Sequence, residues 1–263
     1  MTAETKRSPS EGPQSYGPVA SVYDTLMREV PHGTWLSRME RAIRERGREP
    51  KSALDVACGT GIATHLLVLR GYAPVVGVDL SESMIQVAKT KATAGGWEES
   101  AEFLVQDASV LDLAGRQFDL VISLFDSFNY ILEPERLQAA FRRIYAHTAP
   151  GGIFAFDMNS VFALRENLFT QRELDGPVKH DWVSTYDPET GLCHVSMAFW
   201  VVDSETGEER HFTETHWQRA YLQTDICNWL TEAGFEKTEV FGNYGSRPPV
   251  RNSDRWLFVT QRD

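Results

Sequence analysis

No stretch of the sequence approaches the ~18 uninterrupted apolar residues that a membrane-crossing helix requires. A bilayer span is not expected. Cysteine is scarce: Cys58, Cys193 and Cys227 are three in 263 residues, an odd number whose wide spacing suits neither a disulfide framework nor a zinc-ligand pair. That scarcity points to a reducing cytoplasm. No H-x-x-x-H or C-x-x-C occurs and the carboxylates are scattered, so no metal site is expected. Basic residues are also in deficit, 26 Lys and Arg against 37 Asp and Glu, for a formal charge of −11. Nucleic-acid affinity rests on cations that displace counterions, so an RNA or DNA partner is disfavoured. The acidic excess forms no block of one sign and reads as a solvated surface.

With 42% hydrophobic and 24% charged residues the composition is that of an ordinary globular chain. Residues 1–15 are polar, rich in Ser, Pro and Glu, without the apolar stretch of a secretion signal; they read as a disordered tail. Leu36, Met39 and Ile43 lie at helical spacing in a segment that runs to Arg48, and Gly47 and Pro50 close it. SALDVACGTG then gives a short strand ending in a glycine turn, followed by a helix carrying Ile62, Leu66 and Leu69. The order repeats: a strand over Ala73–Leu80, then a helix over Ser81–Ala92 opened by a Ser capping signal.

Two more apolar strands at Ala101–Asp107 and Phe118–Phe125, a helix within Glu133–His147, and a strand at Ile153–Asn159 complete an alternating βα pattern. Such alternation predicts a parallel sheet between two helical layers. The pattern then changes. Three Val-, Thr- and aromatic-rich stretches near 178–186, 192–202 and 210–221, separated by DPETG and DSETG, predict an antiparallel meander. A helix at Thr224–Ala233 and strands at Phe235–Phe241 and Arg255–Thr260 close the chain, the last pair implying one reversed strand at the sheet edge. The divisions are a tail (1–15), an N-terminal helical lid (16–50), a cofactor-binding core (51–160), an insertion over the site (161–222) and a C-terminal helix with the last two strands (223–263).

The strongest local signal is Leu54-Asp55-Val56-Ala57-Cys58-Gly59-Thr60-Gly61, where glycines allow close backbone approach to a ligand at an open helix terminus. Twenty residues beyond Gly59, Asp79 ends the next strand, where a carboxylate can accept from both ribose hydroxyls. Both stand at carboxyl ends of adjacent strands, the binding edge of open α/β sheets.

These residues resemble the class I S-adenosylmethionine-dependent methyltransferases, whose first motif is an acidic residue followed by x-x-x-G-x-G. The match covers roughly residues 50–160, with Ala57 where Gly is commoner. The resemblance implies a Rossmann-like three-layer sandwich whose seven-stranded, mostly parallel sheet has a reversed last strand and here carries an antiparallel insertion. It implies S-adenosylmethionine as cofactor, with Asp55, Ala57 and Gly59 near its methionine part, Asp79 on the ribose and Met84 on the adenine face. Asp107 and the Ala108 amide would meet the adenine edge, and the segment Ser123-Leu124-Phe125 would line the cofactor beside the transferred methyl. Tyr16 and Val22-Tyr23-Asp24 resemble the N-terminal lid of small-molecule and sugar-amine N-methyltransferases. In such a lid Tyr23 would cap the cofactor and Trp35 would approach its methionine end; the plainer alternative is that both pack the lid on the sheet. The implied reaction is methyl transfer to a small molecule, at nitrogen before oxygen.

Alternatives stay open. A nicotinamide-dependent oxidoreductase shares the sheet, but position 64 is Thr64 where its fingerprint needs a third glycine. A non-catalytic S-adenosylmethionine-binding regulator is the other alternative. Acid–base candidates are His216, Arg219 and Tyr244. His216 and Arg219 sit on opposite strand faces, and His180, His194 and His211 lie in the same insertion. Asp126, Asn129 and Tyr130 follow the fourth strand, where acceptors are often met. Arg247, Arg251 and Arg255 could meet an anionic substrate or simply solvate a loop. His147 reads as a helix C-terminal cap. Self-association, if any, is expected to give a homodimer.

Overall fold

The computed structural model describes residues 16–202 and 206–263. The expected disordered tail and most of the DSETG turn lie outside the described residues. The N-terminal segment is a 3-10 turn at Pro18–Ser21 followed by α1 (Tyr23–Leu26) and α2 (His32–Glu45). Helix α2 begins a turn earlier than its first apolar marker because His32 is itself buried, together with Leu36, Met39 and Ile43.

The core alternates β1 (Ala53–Val56), α3 (Ile62–Leu69), β2 (Val75–Asp79), α4 (Glu82–Gly95), β3 (Ala101–Val105), β4 (Phe118–Ser123), α5 (Pro134–His147) and β5 (Thr148–Asn159). Ser81 caps α4 by accepting from the Met84 N–H at 3.3 Å, as its sequence predicts. The insertion is α6 (Val161–Arg165), β6 (Gln171–Glu173), β7 (Val178–Asp187), β8 (Leu192–Val202) and β9 (Glu209–Arg219). Its sheet therefore has four strands where the pattern predicts three, since a three-residue polar strand, fully exposed, carries no hydrophobic signal. Helix α7 (Gln223–Ala233), β10 (Glu236–Gly242) and β11 (Arg255–Gln261) finish the chain.

The main sheet runs β10-β11-β5-β4-β1-β2-β3. Strand β11 pairs antiparallel with both β5 and β10. The reversed strand thus lies inside the sheet and β10 takes the edge: β11 is apolar and buried along most of its length, whereas β10 carries exposed Glu236, Lys237 and Glu239. Strand order reverses between β1 and β4, which places a switch-point crevice at their carboxyl ends.

Each sheet face has its own helical layer. On one, Leu137, Phe141 and Ile144 of α5 and Ile226 and Leu230 of α7 cover Phe154, Phe156 and Phe258. On the other, Leu36, Met39 and Ile43 of α2 with Ala63 and Leu67 of α3 cover Ala53, Val75 and Leu120. His147 does not act as a cap. It is buried, its Nε2 accepting from the Leu113 N–H and its Nδ1 lying 2.7 Å from the Arg116 carbonyl, so it braces the loop before β4. No helix among the described residues is long and apolar enough to cross a membrane.

Candidate functional site

Between Ala57 and Gly61 the chain enters the left-handed region three times, at Ala57 (φ 58°), Gly59 (φ 55°) and Gly61 (φ 77°). A glycine does so freely, whereas Ala57 is held in a region that non-glycine residues rarely adopt. At Gly61 the requirement is also steric, because a Cβ there would stand 3.0 Å from the Phe103 ring. The resulting loop turns its backbone toward the crevice at the ends of β1, β2 and β4.

Asp55 is buried beneath this loop and accepts from the Thr64 hydroxyl at 2.7 Å; burial pushes its carboxyl up to about 7 despite that bond. Asp79 accepts from the Gly59 N–H at 2.8 Å on one oxygen and from the Ser81 N–H at 2.8 Å on the other. Burial raises its pKa, and these bonds oppose the rise. Asp107 differs: burial pushes it up, but the Ser109 hydroxyl and N–H and the Arg136 guanidinium outweigh that and hold it below the usual range. Asp55, Ala57, Gly59, Asp79, Met84, Asp107, Ala108, Leu124, Phe125 and Tyr23 all line a single cavity of about 1450 Å³. Five separate stretches of sequence therefore meet in one crevice.

The N-terminal segment is fastened to the loop. Asp24 accepts from the Thr60 hydroxyl at 2.5 Å and pairs with Lys91, whose ammonium donates to the Thr60 carbonyl at 2.9 Å. This clasp sets Tyr23 4.0 Å from where a Cβ on Gly59 would be. Opposite, Phe125 (φ 68°) and Asp126 (φ 51°) are both left-handed. Their N–H groups donate to the two oxygens of Asp157 at 2.7 and 3.1 Å. Arg255 pairs with Asp157 and, at 2.8 Å, with Asp126, so a buried ion cluster sets the wall that Phe125 presents.

Several candidates fall elsewhere. Trp35 is absent from the cavity wall: it stacks on Tyr244 at 4.5 Å between centroids and meets Phe125 from behind, while His32, one turn earlier on α2, reaches the crevice. Tyr244 is a buried core residue whose phenol is pushed well up by burial and by the Asp157 charge. Arg255 is spent on two carboxylates and is not offered to a substrate, and Arg247 and Arg251 are exposed. Arg219 donates to the carbonyls of Leu132 and Thr190 and fastens β9 to the loop before α5. Asn129 is fully buried, its amide engaged with the backbones of Asn159 and Arg219.

His216 lies just behind the wall, 3.0 Å from Glu214, and packs on Tyr16 and Tyr130. Glu214, Tyr16 and Tyr130 themselves line the cavity. Strand alternation could have placed Glu214 with His216 on one face of β9, but no local pattern told which face turns inward. Of the other insertion histidines, His194 lines the cavity, while His180 and His211 do not. No group of three or more metal-ligating side chains occurs among the described residues.

A family model described as a methyltransferase domain matches residues 53–152. A relative from Geobacillus sp. (strain WCH70), whose name calls it a methyltransferase, is 33% identical over 256 residues, covering 94% of this chain and 100% of its own length. The dTDP-3-amino-3,4,6-trideoxy-alpha-D-glucopyranose N,N-dimethyltransferase of Streptomyces venezuelae is 28% identical, across 87% of this chain and 94% of that protein. Among solved structures, an S-adenosylmethionine-dependent methyltransferase from Clostridium acetobutylicum ATCC 824 superposes with a TM-score of 0.81 at 27% identity, covering 94% of this chain and 98% of that one.

Proposed function

The chain belongs to the S-adenosylmethionine-dependent methyltransferases, and from that premise we propose that it methylates the amino nitrogen of a small, hydroxylated molecule of the amino-sugar type. The observation that carries this reading is the junction inside one cavity between the Gly59–Asp79 loop pair and a wall bearing the buried carboxylate of Glu214.

The residues present suit the cofactor. The left-handed loop at Ala57 and Gly59 is a cradle that side chains would fill, and Asp79 and Asp107 offer carboxylate acceptors at the ends of neighbouring strands. When bound, the cofactor supplies a methyl group on a positively charged sulfur. In our assignment Asp55, Ala57 and Gly59 hold its methionine end and Asp79 accepts from the ribose hydroxyls. Met84 packs on the adenine, with Asp107 and the Ala108 amide at the ring edge. Leu124 and Phe125 border the reacting end, and Tyr23 closes over it. Positioning and the exclusion of water then lower the barrier, because displacement at a sulfonium disperses charge. The divisions at 16–50, 51–160, 161–222 and 223–263 follow as lid, cofactor core, acceptor wall and closing strands.

Incubation of the protein with isotopically labelled S-adenosylmethionine and a panel of amines, amino sugars and nucleotide-linked amino sugars tests the proposal, with mass spectrometry of the products. Label is expected on nitrogen. Label appearing on hydroxyl oxygen alone refutes the nitrogen reading, and cofactor binding without transfer to any acceptor supports a regulator. Two further parts of the reading are a cytoplasmic location, consistent with three unpaired thiols, and a homodimer. The dimer is supported by the exposed Val183 and Val202 on the small sheet and is tested by light scattering.

A further inference from the structure

An aliphatic amine is protonated at neutral pH, titrating between about 8 and 10.4. Its lone pair is then unavailable, so an N-methyltransferase must bind the minor neutral form or remove a proton. The cavity wall, which also carries Glu133, Asp187 and His194, holds an arrangement suited to removal. Residues 214 and 216 share a face of β9, and both side chains are nearly excluded from solvent, at 7% and 3% exposure. Glu214 reaches the cavity surface and His216 backs it at 3.0 Å. The other Glu214 oxygen accepts the Val19 N–H at 3.1 Å, which fixes the carboxylate against the lid. His216 Nδ1 is buried without a hydrogen-bond partner among the described residues. Leaving a buried ring nitrogen unpaired is costly in a purely structural histidine.

We propose that Glu214 is the proton acceptor for an ammonium substrate and that His216 positions it, with its Nε2–H donated to the carboxylate. The inference rests on the amine-methylation reading above. The ammonium gives its proton to the Glu214 carboxylate, which becomes a neutral carboxyl while the His216 Nε2–H, 3.0 Å away, stays donated to it. The freed nitrogen lone pair forms the new bond to the methyl carbon as the carbon–sulfur electron pair withdraws onto sulfur. The product leaves as a methylated ammonium, and Glu214 returns its proton to solvent.

Tyr16 from the N-terminal segment stands 4.7 Å from the imidazole centroid and Tyr130 from the loop after β4 stands 5.8 Å away. The cross-strand neighbours on β8, Val195 and Met197, carry no charge. Burial raises both phenols, Tyr130 to about 12, so neither ionises near neutrality, and the Asp126 charge adds to the rise in each. With Tyr23 they also offer three ring faces or edges around a cation. A carboxylate bordered by aromatic rings attracts an ammonium and disfavours an anionic acceptor group.

The test compares wild type with Glu214→Gln and His216→Gln on an amine that the wild type methylates, across a range of pH, with calorimetry of S-adenosylhomocysteine binding alongside. The carboxamide introduced by Glu214→Gln keeps an oxygen for the Val19 N–H, so the lid anchor survives. We expect kcat/KM near pH 7 to fall by roughly a hundredfold in each variant. The deficit should shrink steadily as pH rises and the acceptor becomes neutral without help, with cofactor-product affinity unchanged. A loss that is constant with pH, no loss at all, or a parallel loss of cofactor-product binding overturns the inference. Wild-type transfer to oxygen acceptors alone sinks the amine reading instead, so the two failures are distinct.

Discussion

The Gly59 N–H donates to Oδ2 of Asp79 at 2.8 Å, so the carboxylate at the end of β2 also ties down the glycine loop that follows β1. Its remaining lone pairs face the crevice. Asp79→Ala removes the acceptors proposed for two ribose hydroxyls as well as this tie. Cofactor affinity should weaken by about 1–3 kcal/mol, measured by calorimetry with S-adenosylhomocysteine. An unchanged dissociation constant would place the ribose elsewhere.

The pH dependence of stability should carry the mark of Asp55. Burial lifts its folded-state carboxyl to about 7, against ~3.9 in an unfolded chain. The native state therefore holds a proton that the unfolded state has lost over this interval, and stability falls as pH rises through it. Asp55→Asn removes the titration, so urea unfolding from pH 4 to pH 7 should show a flatter or rising stability in the variant relative to wild type. Parallel profiles would contradict the assignment.

Arg255 lies between Asp126 and Asp157, with only 16% of its side chain exposed. Arg255→Met would leave two buried carboxylates without their cation. The expected loss is about 3–5 kcal/mol, read from chemical denaturation. A loss below about 1 kcal/mol would mean that water or protonation compensates for the missing charge.

Gly61 combines a left-handed backbone with a Cβ position 3.0 Å from Phe103 and 3.3 Å from Ala88. Gly61→Ala should destabilise by about 1–3 kcal/mol through strain and overpacking. Phe103→Leu, by opening space, should recover part of the loss in the double variant. Strict additivity of the two substitutions would show that the rings and loop are not in steric conflict.

The Asp24–Lys91 pair is partly exposed, at 42% and 30%. Global stability should change by less than about 1 kcal/mol in Asp24→Asn. Because the pair seats Tyr23 over the loop, affinity for S-adenosylhomocysteine should nevertheless fall about threefold, equivalent to a fraction of one such contact. Equal affinities would show that the clasp does not govern lid closure.

What the sequence revealed, and what it hid, follows the range of the interactions. Asp55, Gly59 and Asp79 are legible because a strand, a glycine turn and a helix, then a second strand, fix their relation within a short stretch. Arg255 reads as a loop arginine because one of its carboxylate partners lies 98 positions away. Trp35 and Tyr244 are visible as aromatic residues, but only packing decides that they stack on each other behind Phe125. Glu214 is one acid among 37 acidic residues until the small sheet turns one face of β9 toward the lid. The interior place of β11 was likewise hidden, since two strands joined by a loop can be ordered either way at the end of a sheet.

Asn129 grips both ends of the excursion between β5 and α7: it accepts from the Asn159 N–H at 2.9 Å and donates to the Asn159 and Arg219 carbonyls at 3.3 and 2.9 Å. Departure and return thus share one gatepost, and the segment between them behaves as a cassette. A change in the length of that segment would therefore leave its two chain ends where they are, held at Asn159 and Arg219.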